Sequence, residues 1–334
     1  MRKWAPPVAV MLGIALVVGT TPATAQAAGL GQIIISNDWD TNAGVVHVSV
    51  ESTEPVASIH ADFVDEATGA TGGAADNFVL EYETSTSVSY VTSSPVVMDP
   101  GAYQAQVTVT ADDGTVAAAS ERLIYYVNAT VEDLTADRPA IDWDHRDVTV
   151  SGVLRGRWPG TGEVRPLAGA LVNYWVYMNA GDPVVTDANG AFSRTFTMAG
   201  TLNTMDFFYD SGSPYTRGTG ITSYTVTVTP QQTRVRVRAD KRHAKVGDPI
   251  TLTGKVERLG AHGWAPAPPQ TGLWIETCDD TGCAYGYNNV EIAADGTFRS
   301  ETTAQRTGYF QVSVTGYLDF FAGSTGRTAV VKVR

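Results

Sequence analysis

Residues 166–196 read PLAGALVNYWVYMNAGDPVVTDANGAFSRTF. Val172, Tyr174, Val176 and Met178 share one face of an extended run, with Asn173, Trp175 and Tyr177 on the other. β-branched and aromatic side chains at this density suit a pleated, half-buried surface. Asn179-Ala180-Gly181-Asp182-Pro183 interrupts the run, because proline lacks a ladder donor and glycine among polar neighbours suits a turn. Val184 and Val185 begin a second strand. Asp187-Ala188-Asn189-Gly190 then predicts a tight turn, since Asn-Gly accepts positive φ. Phe192, Thr195 and Phe196 carry the chain onward in extended form.

The stretch has an echo at Pro268–Phe298. Thr149-Val150-Ser151-Gly152 corresponds to Thr251-Leu252-Thr253-Gly254, 102 residues later, and Gly190-Ala191-Phe192 to Gly296-Thr297-Phe298, 106 residues later. The four extra residues are assigned to the hairpin around Cys278 and Cys283. A repeat near 100 residues indicates tandem domains and not a short-repeat solenoid. An earlier, more distant module shares Asp-Trp-Asp with the second: Asp38-Trp39-Asp40 before one valine-rich strand, Asp142-Trp143-Asp144 before the other.

Pro166, Leu167, Gly169, Ala170, Val172, then Thr186, Asp187, Gly190 and Phe192, give wording that resembles secreted carboxypeptidase regulatory-like (transthyretin-like) modules and bacterial immunoglobulin-like domains. The resemblance covers roughly 30 residues. It implies seven-stranded sandwiches that are usually accessory and non-catalytic, and a shared fold does not fix function. The expected fold is all-β, a series of tandem immunoglobulin-like β-sandwich domains.

The expected limits are a signal peptide at 1–27 and sandwiches at 28–128, 129–229 and 230–334. Arg2 and Lys3, an apolar run from Val8 to Val18 and Ala25-Gln26-Ala27 are the marks of a secretory leader. That apolar run is too short to span a bilayer. The mature chain is therefore expected outside the cell, without a membrane span, and associated with the envelope in one version of this reading. The limits near 128 and 230 lack Gly/Ser-rich linkers, which predicts semi-rigid connections.

The chain carries a net charge of −12. The first module has 14 acidic residues against one basic, the second 11 against 7, and the third 10 against 13. The first would repel nucleic acid, and no motif points to nucleic-acid binding. Arg234, Arg236, Arg238, Lys241, Arg242 and Lys245 form a basic run in the third. Either it meets an anionic polymer, or it is a solvated strand face whose arginines alternate with valines.

The only cysteines, Cys278 and Cys283, are expected to form a disulfide at a hairpin tip, as export allows. Trp158, in a Trp-Pro-Gly loop, and Trp264, in a proline-rich loop, are candidate binding residues with Tyr285 and Tyr287. Exposed, they would stack on sugars or anchor a protein; buried, they are core. Asp38, Asp40, Asp142 and Asp144 are weak candidate calcium contacts, because each pair supplies too few oxygens by itself. Asp144 with His145 and Arg146 reads equally as an ion-paired turn, and the tryptophans as core plugs. No other cofactor is expected. His60 and Asp62 share a strand face, which as a pair is weak ground for chemistry. No nucleophile elbow, His-Glu-x-x-His or phosphate-binding glycine loop occurs. The sequence thus points to a secreted non-catalytic protein making protein or glycan contacts. The alternatives are a carbohydrate-binding accessory protein and, less favoured, a secreted hydrolase.

Overall fold

The computed structural model describes residues 29–37, 44–176, 179–200, 203–210, 215–218, 220–286, 290–315 and 319–334. The expected leader at 1–27 and the Asp38-Trp39-Asp40 motif lie outside the described residues. Among the described residues every regular element is a strand. The fold is all-β and built of repeated sandwich modules of the immunoglobulin-like kind.

The chain divides into two compact units. The first holds residues 29–37, 44–98 and 102–123; the second holds 99–101 and 124–334. In the first, one sheet orders Leu30–Asn37, Val46–Ser52, Ser87–Thr92 and Phe78–Glu83. The other orders Thr71–Ala75, Val56–Asp65, Gly101–Ala111 and Val116–Tyr125. Val46, Val48 and Val50 on one side, with Ala61, Phe63, Ala105, Val107 and Val109 on the other, are buried. These are the faces their alternation predicts. Thr71–Ala75 is a strand despite two adjacent glycines. Its glycines are there for packing: a Cβ on Gly72 would lie 2.5 Å from the Tyr103 ring, and one on Gly73 3.1 Å from Met98.

The second unit holds two sandwiches of one core topology, called second and third below, with Thr216–Gly218 added parallel to Val127–Ala136 in the second. In the second, Asp147–Arg157 pairs with Val127–Ala136, Ala191–Thr197 and Val164–Pro166. In the third, Pro249–Gly260 pairs with Thr233–Ala239, Thr297–Thr303 and Gly263–Pro266. The facing sheets centre on Leu171–Val176 beside Thr204–Tyr209, and on Leu273–Asp279 beside Tyr309–Val314. A short parallel pair closes each: Ala140–Ile141 with Thr227–Val228, and His243–Ala244 with Lys332–Val333.

The sequence landmarks acquire a physical role here. Gly152 stands opposite Phe192, and Gly254 opposite Phe298. In each case the phenylalanine ring lies where the glycine Cβ would be, 2.8 Å away at Gly152 and 2.4 Å at Gly254. Gly190 and Gly296 have φ of 71° and 81°, and a Cβ on either would sit 2.5 Å from a carbonyl oxygen, of Leu154 or Val256. Thr186 is buried; its hydroxyl donates to Leu167 O and accepts from Ala170 N, which holds the PLAG turn in place.

Two expectations change. Leu167 N donates to Leu154 O and Ala267 N to Val256 O, so the echo of Pro166 is Pro266 and not Pro268. The pairs Tyr174 with Phe207 and Ile275 with Val312 then match. The separation is 101 at Tyr174 and Ile275, and 106 at Phe192 and Phe298, so the disulfide hairpin region carries five extra residues. Trp158 lies in the loop that joins the paired residues Arg157 and Val164, whereas Trp264 lies in a strand, Gly263–Pro266, that turns back tightly on Pro249–Gly260. Backbone pairing overrides the proline-rich wording there: Pro266 ends the strand, and Pro268 and Pro269 fall beyond it.

The second and third sandwiches are joined through a shared core. Phe320 and Phe321, from the third, are buried among Ile141, Met198, Met205 and Val226 of the second. Trp143 meets both rings, at centroid distances of 5.9 and 5.2 Å. The connecting residue Gln231 donates its backbone N–H to Phe320 O and accepts from Ala322 N.

Gly254→Ala is expected to cost about 1–3 kcal/mol, since its new methyl would meet the Arg236 carbonyl at 2.3 Å. Gly152→Ala meets only side-chain ends and is expected to cost less; urea denaturation of both variants checks the order. Phe320→Ala is expected to cost roughly 3–5 kcal/mol. In scanning calorimetry it lowers the transition of the second sandwich as well as the third; loss confined to the third contradicts the shared core.

Candidate functional site

The outer face of the third sandwich's first sheet gathers cations from three strands. Alternation along Thr233–Ala239 places Arg234, Arg236 and Arg238 on one side. Register then sets Arg236 beside Lys255, which has Thr297 on its other side, and Arg238 beside Thr253, which has Arg299 on its other side. An open groove of about 940 Å³ runs here, lined by Arg236, Arg238, Lys255, Arg299, Phe298 and Glu291 among others. Glu257, whose side chain is 13 % exposed, takes Arg234 at 2.7 Å, Lys255 at 3.7 Å and Arg236 at 4.0 Å. The Arg234 hydrogen bond, foremost, holds the Glu257 carboxyl below its usual range. Arg299 meets Glu301 at 3.3 Å, and Arg238 donates to the Thr253 hydroxyl. Five cations face three carboxylates, and Arg236 and Arg299 remain largely exposed.

The frame does not require this charge. The matching face of the second sandwich has a groove of about 490 Å³ lined by Asp133, Thr135, Ser151, Asp187 and Ser193 among others. Thr135 pairs with Ser151 as Arg238 pairs with Thr253, and Ser193 pairs with Ser151 as Arg299 pairs with Thr253. The central charge is also inverted. Arg155 there meets Glu132 and Asp133, whereas Glu257 here meets arginines.

Trp264, 40 % exposed, belongs to the same cationic face. It pairs with Leu259, which shares a strand face with Glu257 and Lys255. The Arg234 guanidinium lies 4.1 Å from its ring centroid. Trp158 is half-buried on the equivalent hairpin of the second sandwich, under the Arg165 guanidinium. The two tryptophans therefore sit on separate sandwiches. Tyr285 lies in the strand opposite Glu276; its side chain, and all of Tyr287, fall outside the described residues.

Cys278 and Cys283 are directly opposed and joined by a disulfide. Asp279 shapes the tip, accepting from Thr281 N, the Thr281 hydroxyl and Gly282 N, and it meets Arg306 at 2.8 Å. The Thr281 hydroxyl, foremost, holds its carboxyl below the usual range. Glu276 lies with the two sulfurs within 4.8 Å, but sulfurs bonded to each other are not thiolate ligands. His60 lies between Asp76, at 2.5 Å, and Asp62, at 3.2 Å, all three exposed.

Asp38 and Asp40 lie outside the described residues. Asp142 accepts from the backbone N–H groups of Asp144 and His145. Asp144 joins the sandwiches instead of gathering with Asp142: its Oδ2 accepts from Arg258 Nη1 at 2.7 Å and from Gln231 Nε2 at 2.8 Å. Arg258 also donates to Gln231 Oε1. No sequence signal marks Gln231, Arg258, Lys255 or Arg299 as partners, because each contact depends on register or on a link between domains.

Among the described residues no helix is long and apolar enough to cross a membrane. No family model matches the chain, and no curated protein matches it. Solved structures similar to it include a tetra-tandem repeat from the extending region of a large adhesion protein. That match has 14 % identity over 90 % of this chain and 74 % of the other, at a TM-score of 0.37. The Escherichia coli adhesin FdeC matches at 15 % identity over 91 % and 99 %, TM-score 0.25. The Yersinia pseudotuberculosis adhesin InvE matches at 16 % identity over 59 % and 58 %, TM-score 0.35. At these scores the likeness carries nothing about ligand or partner.

The Arg258 hydrogen bond, foremost, lowers the Asp144 pKa. A carboxylate depressed on folding stabilises above its unfolded value, near pH ~3.9, and that contribution is lost as pH falls through the folded value. Asp144→Asn is therefore expected to lower the melting temperature at pH 7 and to flatten its decline below about pH 4. Melting curves over a pH series check both.

Proposed function

We propose that this chain is an exported, non-catalytic contact protein of three sandwiches, with limits near residues 128 and 229, and that the cationic face of the third is its contact surface. The observation that carries this reading is the contrast between the second and third sandwiches. They share glycine–phenylalanine packing, turn glycines and strand order, yet only the third sets Arg236, Arg238, Lys255 and Arg299 around a groove. Charge that the frame does not need is charge free to serve recognition. Opposite charge across an interface speeds encounter and selects partners. The leader-like first 27 residues and the disulfide support an extracellular setting.

The test is retention of the purified mature protein on cell-surface material of the producing organism, against an Arg238→Glu/Arg299→Glu double variant. The wild type is expected to be retained at 50 mM salt, largely released near 500 mM because screening shortens the Debye length, and the variant not retained. Equal retention of a correctly folded variant overturns the proposal.

A further inference from the structure

The face carries a second chemistry beside its charge. Trp264 lies at one end, on the same side of the sheet as Glu257 and Lys255, and Arg238 and Arg299 lie at the other. From Leu259, which pairs with Trp264, to Thr253, which pairs with both Arg238 and Arg299, is six residues of one strand, about 20 Å. The surface is therefore an elongated strip with an aromatic ring at one end and guanidinium groups at the other. Arg234 lies toward the ring end, over Trp264 and bonded to Glu257.

We infer that the ligand of this face is an acidic polysaccharide, a linear polymer of uronic acid type with carboxylates along the chain. This inference rests on the contact reading above and names its ligand class. Each half of the strip matches a different part of such a polymer. The C–H-rich face of a sugar ring lies against the part of the Trp264 indole that the Arg234 guanidinium leaves exposed, where positively polarised hydrogens meet the ring's negative quadrupole. Carboxylates take the planar guanidinium forks of Arg236, Arg238 and Arg299, whose geometry suits bidentate pairing. A polyphosphate would use the cations and leave Trp264 idle; a neutral glycan would use Trp264 and leave the cations idle. Glu257 keeps Arg234 in place at the ring and lies off the exposed path, with its side chain 13 % exposed.

Binding of the full mature protein to polygalacturonate, inorganic polyphosphate and dextran, measured by titration calorimetry at low salt, separates these cases. Polygalacturonate is expected to bind, to lose at least tenfold in affinity with Arg238→Ala/Arg299→Ala, and to lose a similar factor with Trp264→Ala. Trp264→Phe, which keeps an aromatic face, restores most of that loss. Melting curves confirm that each variant is folded. Polygalacturonate binding unaffected by Trp264→Ala, or polyphosphate binding equally weakened by it, overturns the polysaccharide assignment and leaves the contact reading standing. Dextran binding as tight as polygalacturonate overturns the role of charge. Binding to none of the three, with the wild type still retained on cell-surface material, overturns this inference alone; loss of both overturns the contact reading as well.

Discussion

A phenylalanine ring laid over a glycine on the neighbouring strand sets the frame of both sandwiches in the second unit. Phe192 covers Gly152 and Phe298 covers Gly254, in the same strand pair each time. A side chain at either glycine would meet the ring, and at Gly254 the Arg236 carbonyl as well. Gly190 and Gly296, in the turns that lead into those phenylalanines, need positive φ and approach a carbonyl too closely for a Cβ. With these four positions held, the strands on either side keep their register, and register decides which outward side chains become neighbours.

The joint between the second and third sandwiches follows another logic. Phe320 and Phe321 are carried by the third but complete the second's core, beneath Trp143. Asp144, Gln231 and Arg258 close the rim with charge-assisted hydrogen bonds. An apolar plug with a polar rim resembles the core-and-rim arrangement of a stable protein interface. The consequence is mechanical. The groove on the third sandwich is presented from a fixed neighbour, and not from the end of a flexible linker.

On that frame the outward face is free to vary. The second sandwich uses it for serine and threonine contacts, Ser151 with Ser193 and Thr149 with Thr195. The third keeps Thr251 and Thr253 there, sets Arg299 and Glu301 where Ser193 and Thr195 stand, and adds Arg238 and Lys255 at neighbouring outward positions. Because outward residues of a strand take no part in the core, changing their chemistry leaves the fold intact.

Much of this was legible in the amino-acid sequence. Alternation identified the strands, the repeat exposed Gly152, Phe192, Gly254 and Phe298 as paired landmarks, and the two cysteines implied a hairpin tip. Trp143 was legible as a core plug, although its partners Phe320 and Phe321 lie 177 and 178 residues away. The arginine run was legible as one strand face, but Lys255 and Arg299 join it only through pairing of three strands. Trp264 was legible as a candidate, yet its place on the charged face depends on a hairpin that its prolines disguise. Alternation and turn chemistry act over a few neighbouring residues, so the sequence alone determined the elements and their inner and outer faces. Which faces meet, which charges assemble and which core a distant phenylalanine fills depend on register and on packing between domains. Those are properties of many contacts at once, and only the tertiary structure decided them.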